Sequence, residues 1–209
     1  GAIRAWQEEF YQTLHRHPAL GHQEEKTAAA VADALREYGY TVHEKVGTTG
    51  VVGILRNGAG PVVLMRADMD ALPVAEATGL PYASTDRAQD RDGNDVPVMH
   101  ACGHDVHVAC LVGAARLLAW QTAAWQGTFI ALFQPAEELA DGAETMVEGG
   151  LATMIPAPDV ALAQHVVAIP AGRVGTRDGA IFSSGDSVRV TVWGRGSHGS
   201  MPQCAVDPV

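Results

Sequence analysis

The chain has 209 residues, of which 47% are hydrophobic, and it carries a formal net charge of -10 at pH 7. This length and apolar content suffice to bury a core in one large or two smaller domains. The acidic residues are scattered and Lys and Arg form no run, which argues against nucleic acid and an anionic membrane surface as partners. No stretch approaches the roughly 20 apolar residues of a membrane span, and the start GAIRAWQEEF lacks the features of a secretion signal.

The three cysteines predict a reducing compartment. They cannot all pair within one chain, and Cys102 and Cys110 lie in one short segment that is predicted to run from a loop into a helix. A disulfide framework is therefore not expected, and the predicted location is the cytoplasm. Cys110 lies on the predicted helix and is expected to be a small buried apolar residue.

Apolar residues at helical spacing predict three helices. The first covers residues 3–14 and ends before Pro18. The second covers residues 24–40, with Gly39 placed to end it in the left-handed conformation. The third covers residues 105–120 and is expected to cross over from one strand to the next.

Four short apolar runs rich in β-branched residues predict strands that helices cover on both faces. They lie at residues 50–55, 61–68, 128–134 and 159–165. The predicted fold class is therefore α/β, with a mostly parallel sheet flanked by helices.

The pattern changes after Pro170, because residues 187–193 (SVRVTVW) alternate valine with other residues. This alternation is typical of a half-exposed antiparallel strand. We expect two domains, an α/β part over residues 1–183 and the start of a smaller α+β domain over residues 184–209.

Residues that bind soft metal ions are concentrated in the segment MHACGHDVHVA, residues 99–109. Three predicted strands also end in candidate ligands, and open α/β folds build their sites beyond the carboxyl ends of strands. The candidates are Cys102, His104 and His107 in the segment, Asp68 and Asp70 after the second strand, Glu137 and Glu138 after the third, and His165 at the end of the fourth.

Thiol, imidazole and carboxylate ligands together suit zinc or another borderline divalent metal. Of two adjacent glutamates, one can bind metal while its neighbour takes a proton from water, which is what metal-assisted hydrolysis requires. Each residue alone has a plainer explanation: His165 as a packed core residue, the glutamates as a solvated helix start, and the aspartates as turn caps. Their convergence on one predicted sheet edge favours the metal site.

Three other kinds of site explain fewer of these residues. A serine hydrolase centred on Ser197 lacks the glycine two residues earlier that a nucleophile elbow needs. Cys102 as a catalytic nucleophile would leave the glutamate pair and His165 without a role. A structural zinc site is closed by four Cys or His ligands and would not use the glutamates.

Four longer motifs occur in the order RADMDALP, MHACGHDVHVA, QPAEELADGA and GRGSHGSMP. With these motifs the chain resembles the M20-type metallopeptidases, and more narrowly the amidohydrolase branch that includes hippurate hydrolase, N-acyl-amino-acid amidohydrolases and auxin-conjugate hydrolases. The resemblance implies a catalytic α/β domain that holds two divalent metal ions, with residues 1–183 as its N-terminal part, and a smaller lid or dimerisation domain that begins within residues 184–209.

Members of this family run to nearly twice the present length, and their second half supplies more of the sheet and a further ligand histidine. We therefore expect this chain to be part of a longer protein, to hold all but one of the metal ligands, and to have little activity alone.

The resemblance also implies a role for each candidate. Cys102 would bridge the two metals, with His104, Glu138 and His165 as further ligands. Glu137 would be the general base that takes a proton from water and passes it to the leaving amine.

Asp68 matches an aspartate that lies beside the metals in related peptidases and is a candidate catalytic residue. The histidine usually found two residues before it is replaced here by Arg66, and His104 is expected to take over its ligand role. Asp105 and His100 would orient the ligands.

His198 matches a lid histidine that reaches the partner subunit's active site and stabilises the carbonyl oxyanion, which implies a homodimer through the lid domain. The implied reaction is hydrolysis of the amide bond of N-acyl amino acids, which are small-molecule substrates. An M20-type peptidase, an N-acetyl-diaminopimelate deacetylase and an inactive metal-binding fragment are the alternatives. The ligand types accept zinc or manganese, and also cobalt or nickel.

Overall fold

The computed structural model describes residues 2–181 and 188–207. The chain divides into two compact units, Gly1–Val167 and Ala168–Val209. The domain boundary predicted at residues 183 and 184 falls outside the described ranges, so that division stays a prediction.

The three predicted helices are present as α1 (Ala2–Arg16), α2 (Glu25–Glu37) and α3 (His104–Trp120). Gly39 follows α2 with a φ of 84°, as its predicted role in ending that helix requires. Two short helices that the sequence did not predict follow, α4 (Gly142–Glu148) and α5 (Leu151–Met154). Among the described residues, no helix is both long enough and apolar enough to cross a bilayer.

The main sheet has five strands, β1 (Thr41–Val46), β2 (Gly50–Asn57), β3 (Val62–Asp68), β6 (Gly127–Gln134) and β7 (Val160–Ala163). Their order across the sheet is β1-β2-β6-β3-β7. Strand β3 is parallel to both β6 and β7, whereas β2 is antiparallel to β1 and β6. The α/β class is confirmed, and the sheet is mixed because β2 runs antiparallel to both of its neighbours, to β1 through a short hairpin turn and to β6. Strands β4 (Arg87–Gln89) and β5 (Asp95–Pro97) form a separate antiparallel pair.

Helices cover both faces of the sheet over β2, β3 and β6. All four residues of β7 are exposed, so the expectation that helices cover this strand on both faces is wrong. Helix α3 lies in the connection between the parallel strands β3 and β6, which is the crossover predicted for it. One face packs against α1, α2 and α3 through a core that includes Leu14, Val31, Leu35, Leu111, Val112, Ala131 and Phe133. The other face packs against α4 through Met146, Val52, Ile54, Ile130 and Leu132.

Cys110 is exposed on α3, so the expectation of a buried residue is wrong. The buried face of this helix includes Val108, Leu111 and Val112, and Cys110 projects away from it. Cys110 lies two positions from both Val108 and Val112, which is about 200° around a helix of 3.6 residues per turn, so its side chain points to the opposite side.

The strand predicted over residues 187–193 is not formed in the described part of that segment, residues 188–193. Its valines are exposed, with Val188 at 84% and Val190 at 77%. A half-exposed strand needs a hydrogen-bonded neighbour, and the described residues of this unit provide only an isolated bridge between Arg195 and Val206.

Candidate metal centre

Three adjacent parallel strands bring candidate residues to one edge of the sheet. Asp68 is the last residue of β3 and pairs in register with Gln134, the last residue of β6. Glu137 and Glu138 follow β6 by a few residues, and His165 lies just beyond the end of β7. Parallel strands place their carboxyl ends on the same side, so these side chains converge.

Cys102 and His104 reach the same edge from the start of α3. Gly103, which precedes the helix, has a φ of 83°, a conformation that glycine adopts without strain. A Cβ at this position would collide with the side chain of Val166, in the segment that follows β7. The chain can therefore bring the Cys102 and His104 side chains close to the strand ends only because position 103 is glycine.

His104 is the centre of the cluster and is completely buried. Its Nδ1 lies 3.1 Å from Oδ1 of Asp70, a contact that holds the ring in one orientation. Its Nε2 faces three carboxylates, at 3.7 Å from Asp68, 3.9 Å from Glu137 and 3.9 Å from Glu138. Burial opposes protonation of this imidazole, but the Asp70 contact and the charge of Asp68 raise its pKa.

Cys102 lies against His165, with 3.4 Å between Sγ and Nε2. Burial, followed by the negative charges of Glu138 and Glu137, raises the pKa of the Cys102 thiol to about 12. Burial also raises the pKa of Glu138. Without a cation, both groups therefore favour their protonated forms. A bound metal ion would compensate the negative charge and favour the deprotonated forms.

The residues fit a metal ion. Nε2 of His104 and Oε1 of Glu138 are buried, face each other, and have no hydrogen-bond partner among the described residues. Buried polar atoms are nearly always satisfied, and two unpartnered ligand atoms that face each other fit the binding of a cation. Three sets of ligand atoms lie within 4.8 Å of one another, namely Cys102, His104 and His165; Asp68, His104 and His107; and His104, Glu137 and Glu138.

His107 connects two parts of the site. The backbone N–H of Val166 donates to its Nε2 at 2.9 Å, so the ring proton is on Nδ1 and is donated to Asp68 at 2.6 Å. His107 thereby ties the segment that carries His165 to the end of β3. The sequence offered one sign of this role, since His107 shares a helix face with His104 three residues earlier.

Asp68 accepts from two donors at this edge of the sheet. Burial alone would raise its pKa, but the hydrogen bond from His107 and the charge of Arg66 outweigh it and lower the pKa to about 2. Nη1 of Arg66 lies 2.5 Å from the Asp68 carboxylate. Asp68 is therefore ionised throughout the physiological range.

The structure does not link Asp105 or His100 to a ligand by a hydrogen bond among the described residues. The side chain of Asp105 instead contacts Nδ1 of His15 at 2.6 Å. His100 is buried with neither ring nitrogen bonded in the described part of the chain, and burial lowers its pKa to about 4. Their predicted role in orienting the ligands stays a prediction.

His198 belongs to the C-terminal unit. Its Nδ1 accepts a hydrogen bond from the backbone N–H of Ser200 at 3.2 Å, and the residue is exposed. Its predicted contact with an oxyanion in a partner subunit is not tested by this arrangement.

The sequence also identifies the family of proteins to which this site belongs. Residues 64–207 match the profile of Peptidase family M20/M25/M40. The chain therefore belongs to this family, as its motifs predicted.

Several characterised proteins are similar to the chain over nearly all of its length. Hippurate hydrolase of Campylobacter jejuni is 41% identical over 204 residues, which are 97% of this chain and 50% of that protein. Thermostable carboxypeptidase 1 of Saccharolobus solfataricus is 39% identical, over 99% of this chain and 51% of that protein. The chain spans about half the length of these relatives.

A solved structure shares both sequence and fold with this chain. The YXEP protein of Bacillus subtilis, described as a dinuclear metal binding peptidase of the M20 family, is 36% identical with a TM-score of 0.67. The match covers 78% of this chain and 43% of that one. The predicted α/β fold with helices on both faces is thus the fold of this family.

Proposed function

We propose that this chain carries the metal-binding part of a metal-dependent amidohydrolase that cleaves N-acyl amino acids into a carboxylic acid and an amino acid. The observation that carries the proposal is the cluster of Cys102, His104, Glu138 and His165 with a second glutamate, Glu137, at its edge. The similarity to hippurate hydrolase supports this substrate class. The similarity to a carboxypeptidase supports a peptidase as the second candidate.

We propose that Cys102, His104, Glu138 and His165 would hold two divalent ions. Support comes from the unpartnered atoms of His104 and Glu138 and from the similarity to a dinuclear peptidase. The bound metals would polarise the amide carbonyl and make a water molecule more acidic. Zinc or manganese is proposed, with cobalt and nickel as alternatives that the same ligands accept.

Glu137 is the proposed general base. Its side chain is 40% exposed, so it reaches solvent while its carboxylate stays beside His104. In this role it accepts a proton from the attacking water and returns it to the nitrogen of the leaving amine. Asp68 is proposed to assist as a permanently charged carboxylate that fixes His107 and, through Val166, the segment carrying His165.

The proposed assembly extends beyond this site. Residues 1–183 are proposed to be the N-terminal part of the catalytic domain, and residues 184–209 the start of a lid or dimerisation domain. His198 would stabilise the carbonyl oxyanion in the partner's site within a homodimer. A cytoplasmic location is proposed because Cys102 must remain a free thiol to serve as a ligand.

The test is Glu137→Gln in the full-length protein, assayed on N-acyl amino acids such as hippurate with each metal. We expect kcat to fall at least about 100-fold, since the base is lost, while the metal content stays unchanged. Glu144→Gln is the control, because Glu144 is an exposed glutamate on the nearby helix α4.

Three results would overturn the proposal. A wild-type protein that binds metal but cleaves neither N-acyl amino acids nor peptides would be the inactive metal-binding alternative. One that cleaves only peptides would be the second candidate, a peptidase. A Glu137→Gln variant that retains full turnover would show that another group accepts the proton.

A further inference from the structure

Glu24 is a buried carboxylate that the proposed reaction does not use. It immediately precedes α2, and its exposed fraction is 0%. The hydroxyl of Thr49 donates to its Oε2 at 2.5 Å, and the backbone N–H of Ala136 donates to its Oε1 at 2.8 Å. Both carboxylate oxygens are thus satisfied inside the protein, which a buried carboxylate requires.

Ala136 is the residue directly before Glu137 and has an unusual backbone. Its φ is 48°, in the left-handed region that favours glycine and that an alanine occupies only when its surroundings hold it there. The contact from Glu24 is made to the N–H of this same residue. Glu24 is therefore placed to hold the backbone conformation from which the Glu137 side chain projects.

A second buried carboxylate holds the other side of Glu137. Oδ2 of Asp70 accepts from the backbone N–H of Glu138 at 2.9 Å, while Oδ1 of Asp70 lies 3.1 Å from Nδ1 of His104. The N–H groups of Ala136 and Glu138, the residues on either side of Glu137, are thus each bound to a different carboxylate. These two contacts hold the backbone on both sides of Glu137.

We propose that Glu24 is a positioning residue that fixes the left-handed Ala136 and thereby aims the carboxylate of Glu137 at the reacting water. This inference rests on the proposed role of Glu137 as general base. A general base must stay within hydrogen-bond reach of the proton it accepts, and small displacements of a catalytic group reduce the rate strongly.

The first test needs no activity. Amide hydrogen exchange at Ala136, measured by NMR in the metal-free protein with the buried β6 residue Ile130 as reference, reports the Glu24 contact directly. We expect protection of Ala136 in the wild type and its selective loss in Glu24→Ala. Glu24→Gln should keep the protection, because the carboxamide oxygen can accept from Ala136 while its NH₂ donates to Thr49.

The matched control is Thr49→Val, which removes the other partner of Glu24 and leaves the contact with Ala136. We expect Thr49→Val to lower the thermal stability while Ala136 stays protected relative to Ile130. Selective loss of protection at Ala136 in Thr49→Val, or full protection in Glu24→Ala, would overturn the proposal.

The second test is kinetic and uses the full-length, metal-loaded enzyme. We expect Glu24→Ala to lower kcat at least tenfold with KM within threefold and metal content unchanged, and Glu24→Gln and Thr49→Val to stay within threefold of the wild type. A merely structural role would lower kcat in Thr49→Val as much as in Glu24→Ala, and a need for negative charge would lower it in Glu24→Gln. Either result contradicts the proposal.

Glu24→Asp serves if Glu24→Ala does not fold. Its carboxylate is one methylene shorter, so it keeps the charge but withdraws from Ala136, and we expect the same loss of protection and of kcat. If Glu137→Gln is fully active, the proposed role of Glu137 as general base is wrong. The exchange result at Ala136 does not depend on that role and still shows whether Glu24 holds the Ala136 N–H.

Discussion

At the scale of single residues, Cys102 is the group whose chemistry depends most on a bound cation. Burial and the neighbouring glutamates raise the pKa of its thiol to about 12, so without metal it is protonated at neutral pH. A thiol binds metal as the thiolate, and a divalent ion supplies the charge that stabilises this form. The neighbouring glutamates, whose charges disfavour the free thiolate, would therefore bind at the same metal centre as the Cys102 thiolate.

Replacing Cys102 by serine should remove bound metal, because a serine hydroxyl is far harder to ionise and is a poorer ligand for soft ions. Elemental mass spectrometry after dialysis measures the ratio of metal to protein in the variant and the wild type. Cys110→Ser is the matched control, since Cys110 is an exposed thiol on the helix that begins at His104. An unchanged metal ratio in Cys102→Ser would exclude Cys102 as a ligand.

At the scale of elements, the turn between β6 and α4 carries both glutamates and closes through a tight backbone contact. A Cβ added at Gly142, the first residue of α4, would overlap the carbonyl oxygen of Pro135. The obstacle is backbone, so no side-chain rotation relieves it. The turn keeps its shape only if position 142 has no side chain.

Gly142→Ala should therefore destabilise the fold by about 1–3 kcal/mol, the usual cost of forcing an extra carbon into a packed region. Urea unfolding of the metal-free protein measures the difference. Gly175→Ala is the control, because a Cβ there meets no atom within 4 Å and the backbone is not in the left-handed region. Equal unfolding free energies for Gly142→Ala and the wild type would show that the turn relaxes without cost.

The elements that the sequence predicted are those with a repeating apolar pattern. Helices α1 to α3 and strands β2, β3 and β6 have this pattern because each packs residues into the core. Strand β7 has an apolar sequence as well, although its four residues are exposed in this structure. Strand β1 (TVHEKV) was missed because it lies at the sheet edge and is largely polar, as exposed edges commonly are. The sheet is mixed rather than mostly parallel because β2 runs antiparallel to both β1 and β6.

The candidate site was predictable where its residues follow strands, since the topology of an open α/β sheet brings strand ends together. No feature of the sequence predicts the contacts of Glu24 and His15, because neither residue follows a strand. Glu24 contacts Ala136 and His15 contacts Asp105, partners that lie about a hundred residues away in the chain. These contacts depend on the packing of α1 against α3 and of α2 against the sheet, which residue spacing does not encode.

At the scale of the whole first unit, His15 joins three separate parts of the fold. It lies on α1, its Nδ1 is 2.6 Å from Asp105 on α3, and its Nε2 is 3.1 Å from Glu76 in the connection between β3 and β4. Burial opposes its protonation, but the hydrogen bonds to Asp105 and Glu76 outweigh this and raise the pKa of His15.

Because the pKa of His15 is higher in the folded state than in the unfolded chain, the folded protein binds this proton more tightly. The stabilisation is complete below the unfolded pKa of about 6.5 and is lost as the pH rises through the folded pKa. We expect the unfolding free energy to fall across this window, by at most about 1.4 kcal/mol per pH unit for one proton.

Urea unfolding at successive pH values in the presence of a chelator measures this slope. His15→Gln should reduce this slope but not abolish it, because the pKa of His104 is also raised and contributes a slope of the same sign. His17→Gln, which replaces an exposed histidine just after the same helix, should keep the wild-type slope. An unchanged slope in His15→Gln would assign the whole effect to other groups.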